Sequence, residues 1–149
     1  MQNNTELEHK RHSLAHLLAA AVRELYPGAK NAIGPSIDAG FYQDFDLPVN
    51  ISDKDLPKIE SQMKKILKTW NGFEKKEVSE KEALKEFSWN EYKCELIKEF
   101  AAGGKTITFY TSGKLLDLCK GGHVDNPAKD IKPDSFKLER VAGAYWRGD

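Results

Sequence analysis

HSLAHLLAAAVRELYPG, residues 12–28, is the stretch on which the reading of this fold turns. Leu14, Leu17, Leu18, Ala21, Val22 and Leu25 recur at three- and four-residue spacing, which predicts an amphipathic helix. Pro27 cannot continue that pattern, and Gly28 suits the turn that ends it. At about 100° per residue, His12 and His16 fall within roughly 40° of each other, with the leucine stripe pointing nearly the opposite way. Their own face carries Ala15, Ala19 and Ala20, small residues that let another element or a ligand come close. A solvated face would more often carry Lys, Glu and Gln.

Outward from this helix, AIGPSIDAGFYQDFDL (32–47) reads as strand–turn–strand. A second helix carries Leu56, Ile59, Met63, Ile66, Leu67 and Trp70 on one stripe. Its start has two solutions. Ser52 with Asp55 resembles a capping box, which leaves Pro57 inside the ladder; Asp55 as the cap puts Pro57 in the donor-free first turn. GFEKKEV (72–78) predicts a strand, SEKEALKEF (79–87) a helix opened by Ser79 and Glu82, and NEYKCELIKEF (90–100) another helix. KTITFYTSGKLLDLC (105–119) predicts two strands joined at Ser112-Gly113, and FKLERVAGAYW (136–146) a final strand or strand pair. Interleaved helices and hairpins point to a single α+β domain with a largely antiparallel sheet packed against helices.

The totals narrow the function classes. With 149 residues there is enough chain for one real core. Lys+Arg and Asp+Glu both number 23, so bulk charge argues against an extensive nucleic-acid footprint while leaving room for a small contact with a nucleic-acid end. No apolar run approaches the roughly 20 residues that span a bilayer, so no membrane partner is expected. The polar start MQNNTELEHKR lacks the core of a signal peptide, and Cys94 and Cys119 are too few for a disulfide framework. A reducing, cytoplasmic location is the expectation. Cys94 reads as packing, the charge alternation of residues 74–86 as a solvated face, and AAGGK (101–105) lacks the spacing of a phosphate loop.

Chemistry concentrates elsewhere. Two histidines four apart on a helix can reach one point, a common metal-ligand spacing, though alone the pair could be two exposed or capping residues. DLCKGGH (117–123) repeats the gap with Cys119 and His123, and its glycines permit a tight turn. His12, His16, Cys119 and His123 could hold zinc, or surround a substrate and position a water for hydrolysis with imidazoles near neutral pKa. The residues themselves leave both open.

HSLAHLLAAAV, LYPGAKNAIGPSIDAGFYQDFD, DLCKGGHV and FKLERVAGAYWRGD, in this order, resemble the editing domain of bacterial threonyl-tRNA synthetase from about His12 to Asp149. The paired motifs alone also resemble alanyl-type editing domains. The resemblance implies that residues 1–149 form one tRNA-editing domain, with the synthetase's catalytic and anticodon-binding domains outside this chain. The implied activity is aminoacyl-tRNA deacylation, removing serine from the 3′ end of mischarged tRNA(Thr), with the rest of the synthetase as a further partner. Serine differs from threonine by one methyl, worth only about 1–3 kcal/mol in a pocket, which is why a second, hydrolytic sieve is needed.

Carried over by the resemblance, His12 orients or activates the attacking water. Lys93, by itself one lysine among many on a charged helix, stabilises the developing oxyanion. Asp117, by itself a turn or cap residue, grips the substrate ammonium. His16, Cys119 and His123 complete the catalytic wall, and Gly34 and Gln43 belong to the substrate pocket. No cofactor is implied for editing, although the four-residue set would accept zinc. Three departures stand out: Gln43 where a second tyrosine is common, Lys120 for Arg, and Gly122 for Pro. Gly122 loosens a turn that proline would fix, and Lys120 keeps the charge without a bidentate fork. The competing expectations are a zinc-stabilised, non-catalytic tRNA-end binding module and an alanyl-type zinc-dependent hydrolase.

Overall fold

A computed structural model describes residues 4–32, 36–37 and 40–142. Helix α1 runs Asn4–Leu25, more than two turns further N-terminal than the leucine periodicity alone marks, because nothing in the polar start breaks the ladder. It ends as expected, with Tyr26 N–H still bonded to Val22 O and Gly28 at φ +97° in the turn. The segment after it forms two two-residue antiparallel ladders: β1 (Lys30–Asn31) with β4 (Phe45–Asp46), and β2 (Ser36–Ile37) with β3 (Gly40–Phe41). The expected strand–turn–strand is thus present in short pieces.

Both proposed starts of the second helix are used. Ser52 and Asp55 form a reciprocal capping box around a single 3-10 turn, Asp53–Asp55. Helix α2 (Leu56–Leu67) then begins with Asp55 at its N-cap position and Pro57 in its first turn; the Asp55 carboxylate reaches back to Ser52 N–H rather than forward into α2. Strand β5 (Glu74–Val78), helix α3 (Glu80–Glu86) capped by Ser79, and helix α4 (Glu91–Ala102) follow. Strands β6 (Ile107–Ser112) and β7 (Leu115–Leu118) complete a three-stranded antiparallel sheet in the order β5-β6-β7, and the short helix α5 (Pro127–Asp130) lies beyond.

The expected final strand is not formed over residues 136–142, and residues 143–149 lie outside the described part. Its backbone donors are taken by carboxylates instead of a ladder: Leu138 N–H bonds Glu60 Oε1 at 2.9 Å and Val141 N–H bonds Asp53 Oδ1 at 2.7 Å. Carboxylates of α2 and the 3-10 turn before it thus occupy two of the donors a strand partner would use.

The sheet separates two apolar clusters. Leu14, Leu17, Ala21 and Val22 of α1 pack with Ile59, Met63 and Leu67 of α2, with Trp70, Leu115 and Val124 beside them. On the other side, Ala83, Phe87 and Ile97 of α3 and α4 pack on Ile107, Phe109 and Leu118. Strand alternation therefore puts Leu115, Asp117 and Tyr110 on the α1 side, where Cys119 continues the same alternation. Helix α1 is buried on nearly all sides between Ser13 and Val22, alanine face included, so the histidine face looks into the protein and not into solvent.

The hairpin between β6 and β7 is tight. Gly113 sits at φ +56°, and a Cβ there would meet Trp70 Nε1 at 2.9 Å. Gly113→Ala should cost about 2–3 kcal/mol, from the left-handed backbone and overpacking of the buried tryptophan. A lowered urea midpoint at unchanged slope would report it.

Candidate functional site

Four elements deliver the polar groups. Helix α1 supplies His12 and His16 one turn apart, and β7 supplies Asp117 with Cys119 two residues on. The turn at 120–122 returns His123, and the first turn of α4 supplies Lys93. That turn depends on two consecutive left-handed glycines, Gly121 at φ +106° and Gly122 at +89°. A Cβ on Gly121 would come within 2.9 Å of Tyr110 Oη. Gly122 therefore does more than loosen the turn: it adopts a conformation closed to proline, whose ring holds φ near −65°.

The expected convergence is present. Donor atoms of His12, His16, Cys119 and His123 all lie within 4.8 Å of one another. Cys119 Sγ is 3.1 Å from His123 Nε2 and 3.5 Å from His12 Nε2. The His123 ring stacks between Phe73 (centroids 4.2 Å apart) and His12 (4.6 Å), with Tyr110 tilted against it at 4.7 Å.

Beneath this cluster lies a buried ion pair. Asp117 is 2% exposed, and its carboxylate accepts from four donors. Lys93 Nζ at 3.1 Å and Leu118 N–H at 2.9 Å reach Oδ1, while His16 Nδ1 at 3.2 Å and Asn31 Nδ2 at 3.0 Å reach Oδ2. Lys93 is only 4% exposed. Asn90 ties the pieces together by capping α4 at Tyr92 and Lys93 N–H while its Nδ2 donates to Asn31 O.

The ionisation states follow from this packing. Burial opposes charge on Asp117, but Lys93 and His16 outweigh it and hold its carboxyl well below the usual carboxylate range. Burial also pulls His16 down, yet Asp117 and the Cys119 sulfur carry it up to about 9. Cys119 resists ionisation through burial, while His12, His123 and His16 bring it down to about 4, in the thiolate range. His123 is lowered, chiefly by burial.

The donor set also fits a metal ion. Donors about 2.0–2.3 Å from one tetrahedral zinc would lie roughly 3.3–3.8 Å apart, close to the two sulfur–nitrogen distances seen here. His16 donates its Nδ1 proton to Asp117 and His12 its Nδ1 proton to Gly122 O at 3.2 Å, the outer hydrogen bonds that metal-ligating imidazoles make. The inward Nε2 of His16 is buried with no hydrogen-bond partner among the described residues, and a cation there would have to replace the proton it carries while the ring is charged.

Six of the residues singled out in the sequence thus meet: His12, His16, Lys93, Asp117, Cys119 and His123. Gly34 lies outside the described residues. Gln43 is half-buried on the ribbon next to β4, its amide nitrogen buried without a partner among the described residues. Lys120 is exposed. Sequence reading missed Asn31, Asn90, Phe73 and Tyr110. An asparagine directly ahead of EYKCEL is a legible helix cap. The other three carry no local pattern that separates them from ordinary strand and loop residues.

Fold and site together define a class: an α+β domain in which a cysteine and three histidines sit over a buried lysine–aspartate pair. Particular proteins are similar to this chain in sequence. The chain is similar to threonine–tRNA ligase of Borreliella afzelii, 49% identical over 140 residues, covering 94% of this chain and 24% of the relative. Threonine–tRNA ligase of Borrelia duttonii is 48% identical over 149 residues, all of this chain and 25% of the relative. That of Treponema pallidum is 48% identical over 143 residues, 96% of this chain and 24% of the relative. The chain spans about a quarter of the length of these curated relatives, matching their N-terminal part. No protein-family model matches it.

Because Asp117 is ionised in the fold well below its unfolded pKa of about 3.9, its stabilisation is complete above that value and drains away as pH falls below it. Urea unfolding between pH 3 and pH 7 should show this loss on the acid side. Asp117→Asn, which leaves Lys93 buried without a counter-charge, should cost about 3–5 kcal/mol at pH 7 and flatten that acid limb.

Proposed function

We propose that this domain proofreads for a threonyl-tRNA synthetase, hydrolysing the ester that joins serine to the 3′ end of tRNA(Thr). The observation that carries the reading is the convergence of the His12–His16–Cys119–His123 cluster with the Lys93–Asp117 pair, in a chain similar throughout to part of threonine–tRNA ligases. The rest of the synthetase and the tRNA end are then its partners. Among the described residues no helix is long and apolar enough to cross a membrane, and a cytoplasmic location goes with this role.

The proton positions suit the chemistry. Because Gly122 O can only accept, His12 Nδ1 carries a proton, and Nε2, 3.5 Å from Cys119 Sγ, is the nitrogen that acts as base when the ring is neutral. That nitrogen takes a proton from water as the oxygen attacks the ester carbonyl. The tetrahedral oxyanion gains from the Lys93 cation, and collapse of the intermediate expels the ribose hydroxyl, which takes the proton back from His12. Asp117 serves by position: its oxygens are already held by four protein donors, so it fixes His16 and Lys93, and the substrate ammonium needs another acceptor. His16, Cys119 and His123 form the wall against which the seryl group is held in this reading.

A second reading has its own support in the outer hydrogen bonds on His12 and His16 and in the buried Nε2 of His16, which has no hydrogen-bond partner among the described residues. In it, zinc is held by His12, His16, Cys119 and His123. With all four donors engaged such a site is closed and stabilises the fold; with one position open it would activate water as a Lewis acid.

The wild-type chain should release serine from Ser-tRNA(Thr) faster than threonine from Thr-tRNA(Thr), and His12→Ala should slow serine release about 10²–10⁴-fold. Release at the buffer rate, unaffected by His12→Ala, would exclude the hydrolytic reading. For the metal, one equivalent of Zn²⁺ should bind the dialysed chain and raise its melting temperature, and chelator should reverse the rise. Cys119→Ser should abolish that binding.

A further inference from the structure

His123 is the ligand or wall residue whose placement is hardest to explain. It follows two left-handed glycines, a backbone with more freedom in the unfolded chain than any other pair of residues would give. Within the turn Cys119 Sγ accepts from Gly121 N–H at 3.3 Å, but the backbone on either side of His123 itself is held from outside. Two hydrogen bonds do this, and they bracket the residue. His12 Nδ1 donates to Gly122 O just before His123, and Val124 N–H donates to Ser13 Oγ at 3.1 Å just after it. Both tie the turn to consecutive residues of α1.

We propose that Ser13 is a positioning residue of the cluster, the buried half of a clamp that sets His123 against Cys119 and His12. Ser13 is 1% exposed, so its hydroxyl has no water to fall back on. Its hydrogen points back along the helix to His9 O at 2.7 Å. That bond leaves the oxygen lone pairs turned outward, where Val124 N–H meets them. The hydroxyl therefore works as donor to its own helix and acceptor from the turn at once, which neither alanine nor valine could reproduce. The apolar Val124 side chain buried in the main core keeps the other side of the junction in place. The role in the cluster stands on geometry alone; its importance for hydrolysis rests on the proposed function.

The test is Ser13→Ala in the full 149-residue chain, with Ser13→Thr as the variant that keeps the hydroxyl. Ring protons of His123 lie under Phe73 and should be shifted upfield in the wild type. In Ser13→Ala those resonances should move towards their unstacked positions, and the Val124 amide should exchange with solvent about tenfold faster. Ser13→Thr should restore both. If Ser13→Thr overpacks and fails to fold, Ser13→Cys, isosteric with a weaker acceptor, should give intermediate values. Unmoved His123 resonances in Ser13→Ala, or faster exchange spread evenly over α1 and α2, would overturn the proposal. Where the wild type hydrolyses Ser-tRNA(Thr), kcat should fall at nearly constant KM. A displaced His123 in a wild type that hydrolyses nothing would support the clamp and count against the proofreading function alone.

Discussion

The polar site of this domain is built on one buried carboxylate. Asp117 lies on the short edge strand β7, out of water, and its charge is tolerable only because donors from α1, the ribbon after it and α4 join the neighbouring Leu118 N–H on its carboxylate. Each donor fixes something else in turn. The bond to His16 turns Nδ1 towards the carboxylate, and so leaves Nε2 facing the cluster. The bond to Lys93 draws an ammonium inside, where it is otherwise costly. The bond from Asn31 anchors the ribbon that follows α1, and Asn90 links that ribbon to the cap of α4. A buried ion pair of this kind is weak evidence of stabilisation for its own sake. Its use here is to specify geometry: it holds a helix, a ribbon and a sheet in one relation, with the cluster above.

Above that base, charge is shared between sulfur and imidazole. A thiolate at Cys119 and a protonated His16 each make the other favourable, while burial holds His123 towards its neutral form. The same electron-rich centre can serve water activation or accept a cation, because both need lone pairs facing inward and protons held outside. That is why one set of residues supports two chemistries, and why their spacing in the chain could never choose between them. The aromatic box around His123 adds shape, with Phe73 and Tyr110 limiting how that ring can turn.

The glycine turn shows how a departure from a familiar pattern can be absorbed. Proline at position 122 would stiffen the backbone, but it cannot reach the left-handed conformation found here. The chain holds the turn from outside instead, through neighbouring residues of α1. Order that proline would impose locally is supplied by tertiary hydrogen bonds, with the loop's position now coupled to the helix that bears the other two histidines.

Local order was legible from the chain alone wherever short-range physics governs it. Apolar periodicity marked α1 and α2, serine caps marked the entries to the 3-10 turn and α3, and Ser112-Gly113 marked the hairpin. The motif pairs at residues 12–16 and 119–123 announced a cluster because identical gaps of chemically matched residues are rarely accidental. Tertiary structure alone decided the rest. The segment after Phe136 has strand-like composition, yet carboxylates of Glu60 and Asp53 claim its donors, a choice that depends on groups about 80 positions away in the chain. The burial of α1 on its alanine face, the pairing of Asn31 with Asp117 and the stacking of Phe73 on His123 are of the same kind. Propensity and capping act within a few residues, whereas desolvating a charge and finding its partners depends on what the whole fold brings together.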